Sequence, residues 1–459
     1  MKQKSFLFGV LFLVFVALFS GCAEAGEAGE LEPLRILVDA NASEFAERSC
    51  KKMMEEFVEY AASIGGPTDV IIEVLPDLDA ARESAIERIR TEIMGGGGPD
   101  LFIVRSDRGE VSRRELLFPI PEKAMENGLF LPLDKYIKKA QFMEWDKHTE
   151  AIMDAGRDRY GQQMIPMVYT TPLTFYRTAD IPDVKPEADT SWQDMLEDET
   201  NILRTAATWR HSVKGDSTFK VSENSYLEYI LGDLADFRKD KLLFTEEELL
   251  QRVIEVIETE NAYKEGEIST DLAHYQTRIY PGFDYSMNHG LDVGLWINTR
   301  YSKPDKYRGI QFNDEQTMIP IYSDDGGVTA TIAAFTAINA NTRRAEDAFF
   351  IMDLLLSREW QQQLNLYDVY FAGGAAGIPV HEDLMQKGYP IRPIFYIKQA
   401  NYQEYSRVRE QITRAYFRGD FTDSFEELYK ECKPAYVSGK DIEPIVAEFY
   451  QKLKIMMAE

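Results

Sequence analysis

Cysteine is nearly absent, with three in 459 residues at positions 22, 50 and 432. So few cannot form a disulfide framework. Cys50 and Cys432 could pair in an exported protein, but they lie far apart in segments of helical pattern, so two buried free thiols are expected. Histidine is equally scarce. His148, His211, His274, His289 and His381 are dispersed, and none has a Cys or His neighbour at metal-ligand spacing, so no metal is expected. A Gly-Lys-Ser/Thr phosphate loop is missing, as is a Gly-x-Ser-x-Gly nucleophile elbow. The glycines of Gly95 to Gly98 follow a helical pattern and open a strand, the reverse of a dinucleotide loop. No cofactor is expected. Basic charge is short: 51 Lys and Arg face 77 Asp and Glu. That balance excludes the basic footprint needed for nucleic acid and disfavours anionic lipid. Acidic pairs such as Glu55-Glu56 are too common here to mark acid–base catalysis. No repeat of fixed period occurs.

Long apolar runs are also lacking, with one exception at the start. Lys2 and Lys4 precede an apolar run of 14 residues, Phe6 to Phe19, followed by Ser20-Gly21-Cys22. A charged start, a greasy middle and small residues at the end are the layout of a secretory leader. The run falls short of the roughly 20 residues a spanning helix needs; a short membrane anchor is the alternative. Residues 1–21 are therefore expected to be a leader. Ser20-Gly21-Cys22 resembles the lipobox of bacterial lipoproteins, with Phe19 where an aliphatic residue is usual. The resemblance implies diacylglycerol on Cys22, and two acyl chains suffice for stable anchoring. Losing Lys2 and Lys4 with the leader would move the formal charge from −26 to −28. Residues 22–32, rich in Ala, Gly and Glu, form a flexible acidic tether.

More than 400 residues remain, too many for one simple core, and they predict two or more domains. Leu34 to Val38 reads as a strand, Asp39 to Ser43 as a turn, and Ser43 as the cap of a helix through Tyr60. Val70 to Leu75 is a second strand. Leu78, Ala81, Ala85, Ile89 and Ile93 recur at helical spacing, and Gly95 to Gly98 close that helix. Leu101 to Val104 is a third strand. This alternation is the grammar of an α/β domain with a parallel core. Ile165 to Tyr176 is apolar and β-rich, but Pro166 and Pro172 suit a boundary better than a central strand. Helical patterns run from Trp192 to Tyr263. Val293 to Ile297 and Thr329 to Ile338 read as strands, the latter followed by a helix bearing Ala348, Ile351, Met352 and Leu355. Ile442 to Met457 is an amphipathic helix capped by Asp441, with Pro444 in its first turn.

Four stretches resemble the extracellular solute-binding proteins of ABC importers, the group that includes the maltose-binding proteins. Gly98-Pro99-Asp100-Leu101-Phe102-Ile103-Val104, followed by Ser106-Asp107-Arg108, is similar to that family's "GPD" strand. Ile165 to Arg177 is similar to its hinge strand. Thr329 to Asn339 with Ala345 to Ala348 is similar to its return strand and helix, and Leu428 to Met457 to its tails. The resemblance implies a two-lobed periplasmic-binding-protein-like α/β fold, with crossing hinge strands, discontinuous lobes and a solute closed between them. Lobe one would hold 33–168 and 324–358, and lobe two 172–320 and 362–459. It further implies an extracytoplasmic monomer, anchored through Cys22, that gives its solute to permease subunits.

The residues expected to hold the solute follow from sugar chemistry: polar groups for hydroxyls and rings for C–H faces. Asp107 and Arg108 stand at the carboxyl end of a buried strand, where open α/β sheets bind ligands, and match the family's sugar-binding Asp-Arg pair; a solvated loop pair is the alternative. Asn41 matches the first ligand loop or is a turn residue. Tyr169 and Thr170 lie on the hinge strand, Tyr169 as a ring for the solute or for the core. Thr170 stands where maltose binders have Glu, and Val104 where they have a stacking Trp, which counts against maltose itself. One of Trp296 and Tyr301 would stack from lobe two, and Trp209 is a further candidate, each against core packing. Gly326 and Gly327, after Asp324-Asp325, would let backbone approach a ligand or form a plain turn.

Two other classes fit the chain less well. A carbohydrate hydrolase needs two carboxylates across a cleft, and no motif favours one. A sensor receptor would share the fold without transport. A peptide or polyamine is the alternative to a sugar.

Overall fold

A computed structural model of the protein describes residues 32–39, 44–76, 79–106, 115–171, 173–177, 227–264, 316–320, 322–361, 378–385, 390–392, 395–396 and 406–458. The chain divides into two units, Met1–Pro33 and Leu34–Glu459, and every element below belongs to the second.

Strand β1 (Leu34–Asp39), helix α1 (Glu44–Ser63), β2 (Val70–Leu75), α2 (Asp79–Met94) and β3 (Leu101–Arg105) follow in the expected alternation. The first three strands are parallel, with Val38 level with Val74 and Ile103. Every residue of β3 is buried; a strand covered on both faces has no polar side to show. Gly96 and Gly98, at φ +78° and +99°, turn the chain out of α2. On that helix the buried face is Arg82, Ile86, Ile89 and Ile93, while Ala81, an expected core residue, is exposed.

The GPD stretch works by stapling the starts of β1 and β3 to the end of β7. The Asp100 carboxylate accepts the Arg35 amide at 2.8 Å and the Thr342 hydroxyl. Asn339 donates its side-chain amide to the carbonyls of Gly97 and Pro99, each at 2.9 Å.

After α3 (Pro121–Glu126), strand β4 (Met164–Thr170) enters the same sheet. The prolines had suggested a boundary segment. Instead β4 lies between β7 (Val328–Ile338) and the short β8 (Ile378–Pro379), with Pro166 inside it. The ladder to β7 shifts register between Ala334 and Phe335, opposite Pro166; a bulge is where a residue without an N–H is tolerated. The chain leaves the sheet after Thr170, and β5 (Leu173–Arg177) pairs with β6 (Gln316–Pro320).

β7 is the spine of the sheet, with all 11 of its residues buried. Its second half, from Ala334, runs antiparallel between β3 and β4. Its first half, Val328 to Ile332, pairs in parallel with β9 (Ile412–Phe417). The rings of Phe335 and Phe417, 5.1 Å apart, bridge the two sets of partners. Behind them Phe118 meets Phe102 at 5.4 Å and Phe130 at 5.1 Å, edge to face. Burying each such ring stabilises by about 1.5–3 kcal/mol.

Helix α6 (Ala345–Leu355) packs on β7 and α1. Helices α4 (Leu227–Ile230), α5 (Glu246–Lys264), α7 (Asp420–Val437) and α8 (Glu443–Ala458) pack on one another. Asp441 accepts the Glu443 amide at 3.0 Å, the expected start of α8. Cys50 and Cys432 are buried free thiols, and burial pushes the Cys432 thiol up to about 12. The expected strand Val293–Ile297 and the expected cap Ser43 lie outside the described residues. His148 and His381, distant in sequence, form an isolated antiparallel bridge.

Candidate functional site

The register of the sheet brings three strand ends close to one level. Ala334 of β7 is level with Arg105 of β3 and with Val168 of β4. Val38 is level with Ile103. Counting outward, β1 ends one residue short of that level, β3 ends at it and β4 ends two residues past it. The connections they enter are those of Asn41, of Asp107 and Arg108, and of Thr170. The level of Tyr169 is two strand spacings from that of Ser106, roughly 10 Å. Of these residues Asn41, Asp107 and Arg108 lie outside the described residues, as do Trp209, Trp296, Tyr301 and Cys22 and the side chain of Thr170. Tyr169 is 1% exposed and belongs to the core.

The edge is polar underneath. Asp39 and Arg82 form an ion pair that is 0% and 1% exposed, through bonds of 2.8 and 2.7 Å. Beside it Arg105 and Ser106 are also buried. Ser106 ties the end of β3 to the middle of β7, its amide to the Ala333 carbonyl at 2.9 Å and its hydroxyl to the Ile332 carbonyl at 2.6 Å. The Asp39–Arg82 pair was not anticipated. One signal for it is present: Arg82 stands at helical spacing from Ile86, Ile89 and Ile93, on the apolar face, where an arginine needs a buried partner.

Gly326 and Gly327 stand elsewhere. Seven residues of extended β7 separate Gly327 from Ala334, which at about 3.3 Å per residue is roughly 20 Å. Both glycines have φ +78°, and a Cβ on Gly327 would come within 2.4 Å of the Thr413 hydroxyl. The close backbone approach that Gly327 permits is thus to β9 of the chain itself. The two aspartates before it are anchored to different elements. Asp324 accepts from Arg252 of α5 at 2.7 Å, and Asp325 from Arg414 of β9. Burial raises the Asp324 carboxyl against the pull of Arg252. For Asp325 burial is outweighed by hydrogen bonds from Arg414 and Ser323, which hold it below the usual range.

Among the described residues no three His, Cys, Asp or Glu side chains converge to hold a metal ion. No described helix is long and apolar enough to cross a membrane.

No family model matches the sequence, and no curated protein matches it. Solved structures do. The sugar-binding protein MalE of Xanthomonas citri superposes with a TM-score of 0.56 at 11% identity, over 93% of this chain and 97% of that one. The chain has the fold of the extracellular solute-binding proteins. A family 1 extracellular solute-binding protein from Alicyclobacillus acidocaldarius gives a TM-score of 0.51 at 13% identity, covering 94% and 100%. A periplasmic oligogalacturonide-binding protein from Yersinia enterocolitica gives 0.53 at 14%, covering 93% and 99%. A designed cysteine esterase shares the fold as well, at a TM-score of 0.53 and 13% identity.

Proposed function

We propose that this protein is an exported lipoprotein that captures a polar solute, a mono- or oligosaccharide, and delivers it to the permease of an ABC importer. It is a binder, not an enzyme. The observation that carries this reading is overlap along nearly the whole of a sugar-binding protein, 97% of its length. Two features of the chain support it. The leader ending at Cys22 fits export and lipid anchoring. The ends of β1, β3 and β4 close to one level fit a ligand site at the carboxyl edge of an open sheet.

In this reading the two lobes are 33–168 with 324–358, and 172–320 with 362–459. Asn41, Asp107, Arg108 and Thr170 meet the solute from one side, and Trp209 with Trp296 or Tyr301 from the other. Closure requires that the solute bind the closed state better than the open one.

The test is thermal unfolding of Ala23–Glu459 against mono- and oligosaccharides, peptides and polyamines. A ligand at a hundred times its dissociation constant adds about 2.7 kcal/mol, which is a shift of a few degrees in a protein of this size. A saccharide is expected to give that shift, and Asp107→Ala to abolish it. A shift with peptides or polyamines alone refutes the sugar assignment. For the anchor, Cys22→Ala is expected to move the protein from the membrane fraction to the soluble one.

A further inference from the structure

α2 directs Arg82 at the carboxyl edge, where it touches three separate connections. Its Nη1 and Nη2 donate to Asp39, the last residue of β1, at 2.8 and 2.7 Å. Nη1 also reaches the carbonyl of Pro76, just past the end of β2, at 3.3 Å. Its Nε donates to the carbonyl of Glu115, where the chain returns after β3, at 2.7 Å. Two turns along α2, Arg90 donates to the Leu116 carbonyl at 2.7 Å, to the Leu117 carbonyl at 3.2 Å and to the Glu115 carboxylate at 2.7 Å. The other end of that third connection is held by Ser106 on β7.

We infer that Arg82 is a positioning residue for the solute site: one buried guanidinium fixes the end of β1, the end of β2 and the return of the chain at Glu115 relative to one another. The chemistry suits the task. A guanidinium is planar, carries five donors in a fixed fork and stays charged, so it can serve a carboxylate and two carbonyls at once. A lysine ammonium has three donors on a flexible stem and cannot hold the same directions. An exposed arginine would not do this, but at 1% exposure these bonds do not compete with water. Stability alone does not call for the pair, since a buried ion pair of this kind is about matched by apolar packing. The functional meaning of the clamp rests on the solute-binding reading; the clamp itself does not.

Hydrogen exchange on the solute-free protein separates the two. Arg82→Lys is expected to speed exchange at least fivefold in peptides covering 36–43, 72–80 and 103–124 together, while peptides covering 420–458 stay within twofold. Asp39→Asn, which leaves the Glu115 bond intact, is expected to loosen 36–43 and spare 103–124. Exchange confined to 72–80 in Arg82→Lys, a rise spread through 420–458, or no rise would each overturn the clamp. If the clamp holds while the intact protein binds no saccharide, peptide or polyamine, it is the solute-binding reading that fails.

Discussion

Two buried side chains give this acidic protein opposing responses to pH. His148 sits with its Nδ1 toward the Trp145 carbonyl at 3.3 Å and its ring 5.4 Å from that of His381. Its Nε2 is buried without a hydrogen-bond partner. Burial, helped by the nearby His381, lowers its pKa from 6.5 to about 4 against the pull of Asp146. Below pH 6.5 the unfolded chain takes a proton that the folded one refuses, so stability falls as pH drops toward 4. At about 1.4 kcal/mol per pKa unit this amounts to roughly 3 kcal/mol. Glu122 works the other way. It accepts the Phe417 amide at 3.1 Å, and burial raises its pKa from 4.5 to about 7. The folded chain keeps a proton that the unfolded one loses, so its contribution falls as pH rises from 4.5 to 7, again by roughly 3 kcal/mol. The two slopes oppose each other in one window. Relative to wild type, His148→Gln is therefore expected to gain stability on going from pH 7 to pH 5. Glu122→Gln should lose it over the same step. Urea unfolding at both pH values measures the difference, and variants that track wild type at both would refute the assignment.

At the scale of elements, the parallel strands were legible and their partners less so. Val70–Leu75 and Leu101–Val104 are apolar runs bounded by glycine and proline, so their ends read directly. β9 was not read as a strand, because Ile412-Thr413-Arg414-Ala415-Tyr416-Phe417 carries polar residues where its side chains bind other elements; Arg414 serves Asp325 and Tyr416 serves Leu234. β4 was misread for the opposite reason: its composition was right, but Pro166 is accommodated by a bulge in β4 itself, with Met167 the extra residue against β7, and a register of that kind is invisible locally. The candidate site divides the same way. Its level on the sheet follows from strand ends, whereas Arg82 escaped because arginine is by default a surface residue.

The turn between Tyr322 and Val328 shows what such pairing demands of one position. Gly327→Ala places a methyl 2.4 Å from the Thr413 hydroxyl and in a backbone region costly to non-glycine residues. A loss of about 2–4 kcal/mol is expected from strain and contact together. Thr413→Ala in the same chain removes the hydroxyl but not the strained φ, so the double variant should recover part of the loss in urea unfolding. Full recovery would mean that contact alone decides this position; no recovery would mean that φ alone does.

For the molecule as a whole, the division of β7 is the main mechanical fact. One strand serves β3 and β4 through its second half and β9 through its first. At the junction of the two sets lie Ile332, the last residue paired with β9, and Ala333, whose carbonyls bind Ser106 at the base of the connection that leads to Asp107 and Arg108. If two lobes move against each other in the proposed way, the change in direction falls on these residues, because hinges absorb their rotation at a few positions where packing changes partner. It then reaches the solute connection through Ser106. A compact chain of 400-odd residues has a radius of gyration of about 22 Å, and an open two-lobed form exceeds that. Small-angle scattering of Ala23–Glu459 is expected to show a radius that falls toward this value when a stabilising saccharide is added. Ser106→Ala, which removes the 2.6 Å bond to Ile332 but keeps the amide bond to Ala333, should weaken binding of the same saccharide without changing either radius. A solute that binds with no contraction would leave β7 a rigid spine and place recognition on one lobe alone.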